Sequence, residues 1–170
     1  MPIMPIPRLC PDHAISYRTL MLEAYALHPE AFTSSEAERA VLPLDWWRSR
    51  LESDAVFGAF DKDQLLGVAG LSFETREKIR HKATLFGMYV PQRFGRQGIG
   101  FHLIQAVLEH ARHREDIRLV QLTVTEGNHT ALRLYERCGF EVFGVEPMAV
   151  SIGKAFVNKV HLWQEIHPAK

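Results

Sequence analysis

Cysteine is nearly absent from these 170 residues: there are two, Cys10 and Cys138, far apart in the chain. That count excludes a disulfide framework and makes a reducing cytoplasm the simpler setting. Charge of one sign is also lacking. Twenty Lys and Arg balance twenty Asp and Glu, for a formal net charge of zero, so nothing draws the chain to nucleic acid or to an anionic membrane. No apolar run approaches the roughly 20 residues that span a bilayer. The N-terminal Met1-Pro2-Ile3-Met4-Pro5-Ile6-Pro7 has no basic stretch ahead of a long apolar one, and does not read as a signal peptide. Internal repeats, low-complexity tracts and linkers are missing too. What remains is 46% hydrophobic and 24% charged, ordinary for a globular protein. The length fits one domain over residues 1–170 with a real core.

Against that background residues 85–104 stand out. An apolar run ends at Val90 and Pro91, and a short basic loop follows with Arg93, Gly95, Arg96, Gln97, Gly98 and Gly100. Ile99, Leu103, Ile104, Val107, Leu108 and Ala111 then recur at helical spacing. The pattern predicts strand, glycine loop, helix. Glycines admit a close ligand, and a first helical turn offers unpaired amides at the positive end of the macrodipole. Together they make an anion site, most often for phosphate. Two common phosphate motifs are missing. Phe101 and His102 stand where a P-loop needs Lys and Ser or Thr, and Leu103 stands where a dinucleotide fingerprint needs its third glycine. A plain glycine-rich turn ahead of a core helix is the competing reading.

A second segment narrows the choice. Leu119, Val120, Leu122 and Val124 read as a strand, and Glu126-Gly127-Asn128 as a turn with Asn128 as helix N-cap. Ala131, Leu134, Tyr135 and Cys138 follow at helical spacing, with Gly139 at the C-terminal position and Phe140, Val142 and Phe143 extended beyond it. With both segments present and in this order, the chain resembles the GCN5-related N-acetyltransferase (GNAT) family. The first family motif falls on the loop from Gly95, and the second, Asn-x-x-Ala-x-x-x-Tyr-x-x-x-Gly-Phe, is matched by Asn128, Ala131, Tyr135, Gly139 and Phe140. One departure stands at Gly95, where the family usually has Arg or Gln; Arg93 and Arg96 flank it.

The resemblance implies an α/β fold, with a mixed, mostly antiparallel sheet flanked by helices and one splayed pair of parallel strands. It implies acetyl-CoA as co-substrate. The pyrophosphate would lie on the amides of Gly95, Arg96, Gln97, Gly98, Ile99, Gly100 and Phe101, and the pantetheine arm would add like a strand to Met88, Tyr89 and Val90. Asn128 would help to hold that arm, with a pure N-cap as its other reading. Tyr135 would bind near the sulfur and protonate the leaving thiolate; a core tyrosine is the alternative. No acid occurs between His81 and Val90, where many members carry a basic Glu, so Glu30, His81, Tyr89 and Glu126 stand as candidates beside water. The implied activity is N-acetyl transfer to an amine, a small molecule or a peptide, with no nucleic-acid or membrane partner and a homodimer left open. The alternative is a non-catalytic acyl-CoA-binding module.

Elsewhere the pattern predicts a short strand at Ile6–Leu9, a helix from Pro11 to about Leu27, and a loop over residues 28–35. A helix around Pro43–Leu51 follows, then strands at Ala55–Phe60, Leu65–Phe73 and His81–Val90, and two more around Gly153-Lys154. Trp46 and Trp47 are adjacent on a helix, so only one faces the core, leaving the other for an acceptor cleft. His110 and His113 share a helix face without a third metal ligand.

Overall fold

A computed structural model describes residues 4–169; Met1, Pro2 and Ile3 of the N-terminal reading, and Lys170, lie outside the described residues. Its centre is a six-stranded sheet. Strands β1 (Ala55–Asp61) and β2 (Gln64–Phe73) form a hairpin, β3 (Lys82–Tyr89) follows, then β4 (Leu119–Thr125) and a long hairpin of β5 (Glu141–Ile152) and β6 (Ala155–Glu165). The order is β1-β2-β3-β4-β6-β5. Every neighbouring pair is antiparallel except β3 and β4. This is the mixed sheet with one parallel pair that the resemblance implied.

Helices cover both faces because the strand residues alternate. Ala55, Phe57 and Ala59 of β1 share one buried cluster with Leu103, Val107 and Leu108 of α4 (Ile99–Arg112) and with Tyr135 of α5 (His129–Arg137). Val56 points the other way, to α1 (Ala14–Leu27) and α3 (Leu44–Ser53), where Leu20, Met21, Trp47 and Leu51 are buried. Trp47 takes the core position, 1% exposed and edge-on to Tyr17 at 5.8 Å. Its neighbour Trp46 is half-buried and stacks with Arg39, whose guanidinium carbon lies 4.4 Å from the ring centroid.

One expectation is corrected. The predicted strand at Ile6–Leu9 is reduced to one bridging pair, Arg8 with Phe57, framed by Leu9 N–H to the Val56 carbonyl (2.7 Å) and Gly58 N–H to the Pro7 carbonyl (3.1 Å). Pro5 and Pro7 lack the amides a ladder needs. Residues 28–35 form the expected loop with one short helical turn at Pro29–Ala31, and residues 36–42 carried no expectation. A short α2 (Glu36–Ala40) follows Ser35, whose Oγ accepts from Glu38 N–H at 3.1 Å while Glu38 Oε2 accepts from Ser35 N–H at 3.0 Å. This reciprocal capping box holds Glu38 below the usual carboxylate range, first through the backbone hydrogen bond of Ser35.

Candidate active site

The parallel pair opens partway along its length. Lys82, Ala83 and Thr84 pair with Leu119, Val120 and Gln121, and the ladder stops there. Gln121 Nε2 donates to Thr84 Oγ1 at 3.3 Å across the fork. A bulge accompanies the opening: Val68 and Gly70 of β2 face Tyr89 and Phe86, so β3 carries one extra residue at Gly87–Met88. A bulge bends its strand and re-aims side chains. The resulting cavity, about 480 Å³, is lined by Phe86, Gly87 and Met88 on one strand and Thr123, Val124 and Thr125 on the other. That volume is ordinary for a ligand site.

On the α5 side, Asn128, Ala131 and Tyr135 line the cavity. Asn128 caps α5, its Oδ1 accepting from Ala131 N–H at 3.2 Å, and it faces the cavity as well. Tyr135 is 7% exposed. Its Oη donates to Met88 Sδ at 3.4 Å, and burial pushes its phenol well above the usual tyrosine range. It therefore belongs to the core and to the cavity wall at once.

The glycine loop leads into α4 from the end of β3. Gly98 is the N-cap in the left-handed region, φ +72°, where a Cβ is strained. His102 N–H is the first to turn back, to the Gly98 carbonyl at 3.1 Å. The amides of Ile99, Gly100 and Phe101 thus lie in the first turn, which has no intrahelical acceptors. Gly100 is closely packed on the side where a side chain would stand. A Cβ there would meet Met88 Cε at 2.9 Å and Leu134 Cδ2 at 3.1 Å. Of the two arginines flanking Gly95, Arg93 is engaged with Glu23 at 3.0 Å, while Arg96 is exposed.

Tyr89 and Val90 differ from Met88. Tyr89 is buried, its hydroxyl donates to Glu23 Oε2 at 2.8 Å, and neither residue lines the cavity. The four candidate bases do not converge either. Tyr89 is turned to Glu23, and Glu126 Oε1 accepts from Asn158 at 3.2 Å. Glu30 lies 3.9 Å from His28 and contributes its carbonyl to Thr125 Oγ1 at 2.7 Å. His81 sits at the paired end of the fork, its carbonyl accepting from Arg118 N–H at 2.8 Å. Among the described residues that line the cavity, none is Asp or Glu. His110, singled out with His113, packs edge-on against Phe57 at 5.5 Å.

Part of the cavity wall was missed at the sequence level. Tyr25, Phe32, Arg39, Arg50 and Lys159 line it. Lys159 is 6% exposed, and its Nζ donates to Thr125 Oγ1 (3.0 Å) and the Ala31 carbonyl (3.3 Å). Burial lowers its pKa from the usual lysine range. The capping box Ser35-x-x-Glu38 was a readable signal for the helix that presents Arg39; nothing local marked Lys159.

A family model, the acetyltransferase (GNAT) family, matches residues 21–140. The chain belongs to the GNAT acetyltransferase family. Solved structures agree in fold. A GNAT-family acetyltransferase from Streptococcus pneumoniae is 22% identical with a TM-score of 0.83, covering 96% of this chain and 100% of its own. YncA, a putative acetyltransferase from Salmonella typhimurium with its cofactor acetyl-CoA, is 17% identical with a TM-score of 0.81, covering 99% and 97%. RimL, a ribosomal L7/L12 alpha-N-protein acetyltransferase in complex with coenzyme A, is 18% identical with a TM-score of 0.76, covering 96% and 94%. Acetyl-CoA is the co-substrate of this GNAT fold. No helix among the described residues is long and apolar enough to cross a membrane.

Proposed function

We propose that this chain acts as one domain that transfers the acetyl group of acetyl-CoA to an amine nitrogen. The observation that carries the reading is the cavity at the fork of β3 and β4, with the Tyr135 hydroxyl in its wall. The inner edges of both strands lack ladder partners beyond Thr84 and Gln121. Their main-chain groups therefore need an added strand-like partner. The amide-rich arm of acetyl-CoA fits that need along Gly87 and Met88, and its phosphates fit the first-turn amides of α4 at Gly98, Ile99, Gly100 and Phe101. Asn128 bounds the arm from the α5 side.

When bound, acetyl-CoA supplies an acetyl thioester. The acceptor nitrogen, as free base, attacks the acetyl carbon; the new C–N bond forms as the C–S bond breaks. Tyr135 Oη gives a proton to the departing sulfur and regains one from the product nitrogen through water. Because its phenol is held protonated by burial, the donor is in the correct state throughout the neutral range. The ammonium form of the acceptor loses its other proton to water. That proton goes to solvent before attack, since among the described residues no Asp or Glu lines the cavity to take it.

Release of free thiol from acetyl-CoA, measured across a panel of amines, tests the activity. Binding of acetyl-CoA without thiol release on any amine would instead establish an acyl-CoA-binding module.

A further inference from the structure

The acceptor wall is cationic. Arg39 Nη2 donates to Ser34 Oγ at 2.7 Å and its guanidinium lies on Trp46. Lys159 meets only a carbonyl and a hydroxyl. Among the described residues no carboxylate pairs with either. Arg50 has one long contact, 3.8 Å from Nε to Asp54 Oδ2, and its guanidinium carbon is 4.8 Å from the Phe86 ring centroid. Three like charges around one cavity repel each other, and their desolvation is only partly offset: Asp54 lies at long range from Arg50, and Glu30 and Glu146 act on Lys159 without outweighing its burial. An anion in the cavity relieves both.

The cofactor's phosphates do not meet that need. The loop of residues 95–101, to which they are assigned, contributes nothing to this cavity. Tyr25, Phe32 and Phe86 supply the apolar remainder of the wall, and Tyr25 and Phe32 meet edge-on at 5.3 Å.

Resting on the acetyltransferase reading, we infer that the acceptor is a small amine carrying an anionic group, carboxylate or phosphate, beside its nitrogen. Arg39 and Arg50 hold that group, since a guanidinium fork matches either anion with paired hydrogen bonds. The aromatic side chains take the apolar part of the acceptor. Polycationic amines are disfavoured by the same wall.

Matched acceptors test this. Thiol release from acetyl-CoA is followed with L-phenylalanine, phenylalaninamide and 2-phenylethylamine, with phosphoethanolamine and ethanolamine, and with spermidine. The expected result is a kcat/KM about 10²-fold higher for an anionic member than for its uncharged partner, the equivalent of roughly 2.7 kcal/mol and within the range for hydrogen bonds to a charged group. The phenylalanine and phosphoethanolamine arms separate carboxylate from phosphate. Equal use of anionic and uncharged partners, or preference for spermidine, overturns the acceptor class while leaving the acetyltransferase intact. Thiol release with none of the amines overturns both. A second measurement uses Arg39→Gln, on an exposed short helix. KM for the anionic acceptor is expected to rise about tenfold, the equivalent of roughly 1.4 kcal/mol, with KM for acetyl-CoA unchanged. An unaltered acceptor KM in the folded variant counts against the inference.

Discussion

The hydroxyl of Tyr135 donates to the sulfur of Met88 across 3.4 Å, joining α5 to the bulged edge of β3. A thioether is a weak acceptor, so little binds this proton in place. The neighbouring main chain of Met88 is where the thioester arm is proposed to run. The tyrosine proton is therefore both retained by burial and cheap to redirect.

Tyr135→Phe keeps the ring that packs edge-on against Phe140 at 5.8 Å and removes only the donor. Turnover should fall by roughly 10²-fold. The melting midpoint should move by no more than about 1 kcal/mol of stability, and coenzyme A affinity should hold. A fully active variant would leave water as the proton source.

The pH dependence follows from the same group. Its pKa is raised, so the proton-donating form persists as pH rises past the ordinary tyrosine value of about 10. The rate should climb as the acceptor amine becomes free base and then stay level. A descending alkaline limb beginning below about pH 9, absent from Tyr135→Phe, would show instead that the phenol is unusually acidic.

Tyr89 gives a contrasting case. Burial first, then Glu23, push its phenol up to about 12, and its hydroxyl is turned to Glu23 and away from the cavity. Tyr89→Phe should leave turnover unchanged and cost about 1 kcal/mol of stability in a denaturant titration. Loss of turnover at wild-type stability would restore Tyr89 as a base.

The two loop glycines should separate. At Gly98 a Cβ meets only the His102 ring, at 3.8 Å, but φ is +72°, so Gly98→Val is a backbone problem at the proposed phosphate site. Coenzyme A affinity should drop tenfold or more, about 1.4 kcal/mol, by calorimetry. At Gly100 the clash is with Met88 and Leu134, and Gly100→Ala should cost roughly 1–3 kcal/mol in stability.

Acetyl-CoA at a hundred times its Kd should stabilise the fold by about 2.7 kcal/mol, seen as a higher melting temperature. ATP and NAD should have little effect. Equal shifts from ATP and coenzyme A would argue for a general nucleotide site.

The features legible in the sequence are the ones made by neighbours along the chain. Asn128 caps the helix whose Ala131 amide it accepts, and the stripe from Ile99 to Ala111 is the buried face of α4. Periodicity and caps encode such contacts directly. The two motif segments could therefore be placed, and with them the family. The strand expected at Ile6–Leu9 failed because Pro7 within it has no amide to pair, and α2 went unread although its capping box is local.

Tertiary structure alone decided where β3 and β4 part, at Thr84 and Gln121, because a ladder's end depends on two strands meeting across an intervening helix. It also turned Tyr89 toward Glu23 and, among the described residues, left the cavity without a carboxylate. Arg39, Arg50 and Lys159 come from α2, α3 and β6. No spacing in the chain relates them, and their shared wall exists only because the sheet carries β6 to the end of β4, against the turn after α1. The sequence by itself determined the family, through two motif segments that are short-range patterns. The positive charge of this cavity wall is a sum over distant residues, and only folding performs that sum.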